Sequence, residues 1–303
     1  MKYRVVHTTS YQYETPISVS HNRVTLTPRE SRGLRCLWHR LTVHPAPSWS
    51  IKRHDYFGNL VHVFGIEEGH SQLTVTAASQ VEILPPVLPL AAATPPWSWI
   101  ANPGDWVQTD EQMTTAAFRY RSPRITPSER FRAYAQSSFP PDRPVLEAAL
   151  ELNARLHDDF QYDEESTDVH TSVEQAFELR RGVCQDFAQV QIALFRSMGL
   201  PARYVSGYLR TLPPPGQERL VGADQSHAWV ALYCGPEAGW IDLDPTNRCL
   251  GGPQHVPIAW GRDYSDVVPF RGVFLGEGRH HLEVSVDVSP MTDSAPAGEH
   301  TTE

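Results

Sequence analysis

The chain has 303 residues, 40% hydrophobic and 20% charged, which suits a soluble protein of one large or two ordinary domains with a sizeable core. Its formal net charge of −9, without any run of Lys or Arg, argues against a nucleic-acid groove or an anionic membrane surface as partner. Four cysteines (Cys36, Cys184, Cys234, Cys249) with no CxxC pair make neither a disulfide framework nor a zinc ribbon.

Residues 1–84 read as a β-rich domain. KYRVVHTTSYQY places Tyr3, Val5, Thr9, Tyr11 and Tyr13 on one parity, and NRVTLTP, CLWHRLTVH, NLVHVFGI and QLTVTAASQVEIL follow between turn clusters. Short strands with such turns predict an antiparallel sandwich or meander. The N-terminus lacks the apolar core of a signal peptide, and VEILPPVLPLAAATPPWSWI is too broken by prolines to be a membrane helix. The expectation is a cytoplasmic protein with reduced thiols.

Residues 85–119 read as a Pro/Trp-rich linker, pinned to a surface by Trp97, Trp99 and Trp106. Helices then take over in a core expected at 120–282. TPSERFRAYAQSSF offers Thr126 as a cap with Glu129 three residues on. RPVLEAALELNARLHDDF carries Val145, Leu146, Ala149, Leu152 and Leu156 on one stripe. TSVEQAFELRRG has a capping signature at Thr171 or Ser172 and is expected to stop at Gly182. A helix from about Cys184 to Met198 is apolar on most sides and therefore central. Strand-like ARYVSGYLR, HAWVALYC, GWIDLDP and HLEVSVDVS follow, which makes the second half α+β. Residues 283–303 read as a final strand and an acidic tail poor in bulky apolar residues.

Within RRGVCQDFAQ, Cys184 opens the central helix. Unpaired N–H groups and the positive end of the helix dipole favour thiolate over thiol there, and can hold an oxyanion after attack on a carbonyl. A base could come from His227 in DQSHAWVALY, at the start of a strand. If that strand forms a hairpin with WIDLDPT, His227 lies level with Asp244 within the uncertainty of the pairing. Asp242 shares the parity of Asp244, so spacing alone leaves both open, although Pro245 puts Asp244 nearer the rim.

GVCQDFA, SHAWV and GWIDLDPT, in that order, resemble the three signature segments of the transglutaminase-like superfamily of papain-like cysteine enzymes. The resemblance looks closest to bacterial members with a β-rich N-terminal region, in which DYFGN (55–59) and GRDYSDVVPFRG (261–272) also recur. It implies an α+β papain-like core with helices packed on an antiparallel sheet, behind an N-terminal all-β domain. It also implies Cys184 as nucleophile, His227 as base and Asp244 as the orienting carboxylate. The tryptophan that assists the oxyanion in eukaryotic transglutaminases has no counterpart between Trp106 and Trp229. The Cys184 N–H is one donor in its place, and Phe160 and Tyr162 mark the stretch from which a second could come. No calcium-loop pattern is present, and no cofactor or metal is expected; Cys234, Cys249 and His255 fit no standard metal spacing.

The expected chemistry is attack by the Cys184 thiolate on a carboxamide or peptide carbonyl of a peptide or protein substrate. A thioester forms, and water (protease or amidase) or an amine (transglutaminase-like) resolves it. Hydrolysis is preferred because water is the default acceptor. The alternative is a non-catalytic peptide-binding or scaffolding protein using the same cleft. Gln185 and Asp186 read as first-turn capping residues, and Arg262, Asp263, Tyr264 and Asp266 as a structural polar cluster. Arg210 to Gly222 is expected to line the cleft.

Overall fold

Among the described residues, fifteen strands and six α-helices follow from the alternation of period-2 and period-3.6 patterns. A computed structural model describes residues 1–85, 88–168, 170–211 and 224–291, without the side chain of Gln225. The first six strands are β1 (Lys2–Ile17), β2 (Val19–Val24), β3 (Leu34–His44), β4 (Trp49–His54), β5 (Leu60–Ile66) and β6 (His70–Ile83). The helical stretch has α1 (Trp97–Ala101), α2 (Asp110–Ala117), α3 (Glu129–Ala135), α4 (Val145–Asp159), the short strand β7 (Gln161–Tyr162), α5 (Val173–Leu179), β8 (Arg181–Gly182) and α6 (Cys184–Ser197). After it come β9 (Ala202–Leu209), β10 (Gln225–Tyr233), β11 (Trp240–Asp244), β12 (Cys249–Leu250), β13 (His255–Gly261), β14 (Phe270–Leu275) and β15 (His280–Pro290).

The early strands form the expected sandwich, with sheet orders β15-β1-β6-β3 and β14-β2-β5-β4. Val24, Phe64, Ile66, Leu73 and Val75 fill the space between them. One outer strand of each sheet comes from the other end of the chain. Tyr3 pairs with Pro290 and Val24 with Phe270. The core expected at 120–282 therefore ends earlier: β14 and β15 belong to the sandwich. Alternation identified HLEVSVDVS as a strand, but a two-residue period carries no information about its partner.

The second half is a five-stranded antiparallel sheet, β12-β11-β10-β9-β13, with helices on one face. Ala228, Val230 and Leu232 of β10 pack against Ala188, Ile192 and Phe195 of α6 in the main core. Farther along the strands, beyond the helices, Tyr208 and Val256 share the parity of Ala228 and, with Ile258, bury against Tyr3, Val5, Val286 and Val288 of the sandwich. The opposite face carries Val205, Trp229 and Ala231. Residues 85–119, expected as a linker, instead contain α1 and α2 and add Ile100 and Trp106 to the helical core.

Two helix ends differ from the sequence expectation. Ser128 caps α3 in place of Thr126, its hydroxyl accepting the Phe131 N–H. Helix α5 starts at the Ser172–Gln175 capping box, but its left-handed terminal residue is Arg180 (φ 55°), two residues before Gly182. Among the described residues, no helix is long and apolar enough to cross a membrane. Most of the Arg210–Gly222 stretch, and the tail beyond Met291, lie outside the described residues.

Candidate active site

Cys184 is half-buried at the first position of α6, directly after the parallel pair β7/β8, in which Tyr162 faces Gly182. A helix's first N–H has no intrahelical acceptor, so the Cys184 amide is available to an incoming oxygen. Asp186 ties this corner down. Its Oδ2 accepts the Val183 N–H at 2.9 Å and the Thr167 hydroxyl at 2.7 Å. This is one half of a capping box, since the Val183 side chain cannot reciprocate. Gly182 fits beneath it at φ +153°, where a Cβ would lie 2.5 Å from the Asp186 carboxylate.

His227 and Asp244 come from neighbouring strands. The register Val230↔Leu243 sets Trp229 across from Asp244 and His227 one same-face step beyond. The apolar residues between them (Ala228, Val230, Leu243) face the helices, so the opposite parity carries the site. His227 Nε2 donates to Asp244 Oδ2 at 2.8 Å. The thiol of Cys184 is near enough to the same ring to push its pKa up. The structure thus brings together the three residues singled out in the sequence. It also separates the two aspartates: Asp242 interacts with Arg203.

The Asp244 side chain is fully buried and receives five donors. Oδ1 accepts the Thr246 and Asn247 amides at 3.0 and 3.1 Å. Oδ2 accepts Asn247 Nδ2 at 2.8 Å and His255 Nε2 at 3.0 Å, besides His227. Burial alone would raise the carboxyl's pKa, but hydrogen bonds from His227, His255 and Asn247 reverse this and hold it well below the usual carboxylate range. For His227, burial pushes the imidazole down. Its hydrogen bond to Asp244 and the nearby thiol of Cys184 outweigh that and push it up to about 9.

Behind the site, Asn153 of α4 donates to the Asp244 carbonyl at 3.3 Å and accepts from Gln191 of α6 at 2.9 Å. The helix carrying the thiol and the strand carrying the carboxylate are therefore joined by a buried polar chain. Opposite, Gly207 of β9 lies where a Cβ would meet the Trp229 ring at 2.4 Å. Its absence of a side chain makes room for that indole, which lies tilted to the His227 ring and edge-on to the His255 ring, with centroids 6.0 and 5.1 Å away.

Sequence reasoning missed His255, weighing it only as a metal ligand with Cys234 and Cys249. Cys234 is instead fully buried in the core, and the His255 ring is directed at Asp244. His227, Asp244 and His255 bring ligand-type atoms within 4.8 Å of one another, arranged here as hydrogen-bonded pairs. Of the two residues considered for a second oxyanion donor, Phe160 is buried against Phe177 and Phe187. Tyr162 is close enough to feel the charge of Cys184; burial first, and then that charge, push its phenol up to about 12.

The polar cluster after β13 is structural. Buried Asp263 accepts the Arg124 and Ser265 amides at 2.9 and 2.8 Å, and Arg262 grips Asp266 through two nitrogens at 2.9 and 3.0 Å. A cleft of about 690 Å³ lies beside it, lined by Arg23, Tyr56, Phe118, Arg121, Arg262 and Asp266 among others. Cys184, His227 and Asp244 do not line that cleft.

A cysteine at the start of a central helix, with histidine on an adjoining antiparallel sheet, places the fold among the transglutaminase-like cysteine-enzyme folds. Comparison with known sequences agrees: the bacterial transglutaminase-like N-terminal region matches residues 3–82 and the transglutaminase-like superfamily core residues 132–245. The chain belongs to the transglutaminase-like superfamily. It is 40% identical over 301 residues to the uncharacterized protein Rv2569c of Mycobacterium tuberculosis, covering 97% of this chain and 94% of that one. A shorter match, 42% over 71 residues, links 23% of this chain to 10% of a protein-glutamine gamma-glutamyltransferase of Pseudomonas aeruginosa. Among solved structures, a Cytophaga hutchinsonii protein, provisionally described as a cysteine protease, superposes with a TM-score of 0.75. It covers 98% of this chain and 93% of its own at 22% identity, which speaks to the fold.

Proposed function

We propose that the protein is a cysteine-dependent acyl-transfer enzyme acting on carboxamide or peptide bonds, with Cys184 as nucleophile, His227 as base and acid, and Asp244 as the orienting carboxylate. The observation that carries this reading is the His227 ring, hydrogen-bonded to buried Asp244 at 2.8 Å and near enough to Cys184 for the thiol to push its pKa up.

The chemistry follows from those contacts. The Cys184 sulfur attacks the carbonyl carbon while the imidazolium of His227 holds the second proton. The oxyanion is met by the Cys184 N–H, with Tyr162 near enough to be the second donor. His227 then protonates the nitrogen as the C–N bond breaks, ammonia or an amine departs, and a thioester remains. Next, His227 takes a proton from water, giving an acid, or from an amine, giving a new amide, and Cys184 is regenerated. Water is the default acceptor, so hydrolysis of a glutamine side chain or other peptide amide is the primary reading.

Alkylation followed by peptide mass spectrometry tests it. Burial pushes the thiols of Cys36, Cys234 and Cys249 up, Cys249 to about 11, so these three are internal controls. Below pH 7, iodoacetate should label Cys184 selectively, and His227→Ala should abolish that selectivity. Equal labelling of all four thiols in the wild type would overturn the reading and favour a binding protein using the same cleft.

A further inference from the structure

We infer that His255 is a positioning residue of this site: by donating Nε2–H to the same Asp244 oxygen that serves His227, it takes a share of that oxygen's charge and limits how tightly His227 holds its second proton. The inference rests on the thiolate–imidazolium reading above and extends it from three residues to four.

The tautomer is fixed by the backbone. The Gly252 N–H donates to His255 Nδ1 at 3.2 Å, so Nδ1 is an acceptor and the ring proton is on Nε2. That proton points at Asp244 Oδ2, 3.0 Å away, while His227 Nε2 approaches the same atom at 2.8 Å. Both rings are more than nine-tenths buried, and Trp229 packs against each. Water therefore does not dilute the competition. Two imidazoles on one carboxylate oxygen divide its negative charge, whereas the five-donor cage fixes where that oxygen stands. A His227 held by Asp244 alone would be a stronger base but a poorer acid toward a departing amine.

Among the described residues, other groups facing the pair are few. Cys184 approaches from α6, and Asn247, a neutral donor, from the turn after β11. Cys249 of β12 pairs with Asp244 in register, and Asp242 on β11 feels the charges of Arg203 and His255. His157 of α4 bonds the Thr246 carbonyl behind the turn.

The test is the pH profile of Cys184 alkylation by iodoacetate, whose carboxylate is attracted by the His227 imidazolium, so the rate falls as that proton is lost. In His255→Leu the upper limb should move to higher pH by roughly one unit, because Oδ2 loses a competing donor. His255→Gln, which can place an amide N–H near the lost Nε2–H, should restore the wild-type limb. A merely structural histidine would lower the unfolding midpoint and leave the limb in place; an unmoved limb, one moved downward, or equal shifts in both variants would overturn the inference. Imidazole ¹⁵N spectra of the wild type add a reading that needs no variant. His255 should show protonated Nε2 and bare Nδ1, and the reverse tautomer would overturn the inference too. Loss of selective Cys184 labelling in the wild type would instead mark failure of the underlying thiolate–imidazolium reading.

Discussion

Asn59 hydrogen-bonds both backbone groups of Trp260: its Nδ2 donates to the Trp260 carbonyl at 2.8 Å and its Oδ1 accepts the Trp260 N–H at 3.0 Å. A side-chain amide thus takes the place of a neighbouring strand beside β13. Asp55 holds the amide by accepting Asn59 Nδ2 at 2.9 Å, and Arg29 donates to its oxygen while stacking 3.7 Å over the Trp260 ring. The DYFGN turn of the sandwich is thereby locked onto the helical half. Asn59→Leu leaves two buried backbone groups unpaired and should cost about 2–4 kcal/mol, read from denaturant unfolding. A loss below about 0.5 kcal/mol would show that apolar packing alone docks the halves.

Asp186→Ala removes the bonds to Val183 and Thr167 that set the start of α6. The lost cap should cost about 1 kcal/mol, and the labelling rate of Cys184 at pH 6 should fall with it. Gly182→Ala should be worse on both counts, since the backbone there is left-handed and the space is taken by the Asp186 carboxylate. Unchanged labelling in both variants would mean that the thiol's position does not depend on this corner.

Asp244→Asn keeps the shape of the side chain and removes its charge. His227 then loses the partner that pushes it up to about 9, so the upper limb of the iodoacetate profile should move to lower pH. Turnover of an amide substrate should fall by about 10²- to 10⁴-fold. If the limb stays near pH 9, another group supplies the stabilising charge.

The same pair predicts how stability depends on pH. His227 has a folded pKa above its unfolded value of 6.5, so its contribution is complete below 6.5 and is lost as pH rises towards about 9. Asp244 has a folded pKa below its unfolded value of 3.8, so its contribution is present above 3.8 and is lost as pH falls through the depressed value. The stability difference between wild type and Asp244→Asn should therefore be greatest between these unfolded values and shrink from pH 6.5 to 9. A difference that grows over that upper interval would contradict the assigned directions.

A chain beginning at residue 85 should not yield a soluble helical half. It would strip β1 and β2 from β15 and β14 and expose Tyr208, Val256 and Ile258. Recovery of a monomer with wild-type Cys184 reactivity would show that the helical half folds alone.

The candidate site was legible because its elements are local: an apolar helix starting at Cys184 and a hairpin carrying His227 and Asp244 declare themselves by period and turn. What escaped was non-local. His255 lies on β13, a strand whose proline and register shift blur the alternation, and its partner Asp244 is two strands beyond β9, its nearest neighbour in the sheet. Residues 85–119 read as a linker because prolines dominate them, yet tertiary burial of Ile100 and Trp106 overrides that composition. The Gly182 stop failed for a related reason: a glycine announces unusual φ, and here the demand comes from Asp186 and not from the end of α5.

The swap of outer strands between the two ends of the chain also has a consequence in time. Strand β15 is synthesised after every other strand of the fold, and its Val286 carbonyl and Val288 amide both bond Asp224, three residues before His227. A nascent chain can wind the helix bearing Cys184 while the approach to its base is still unpinned. The β15 hydrogen bonds that fix Asp224, three residues before His227, can therefore form only once residue 288 has been added.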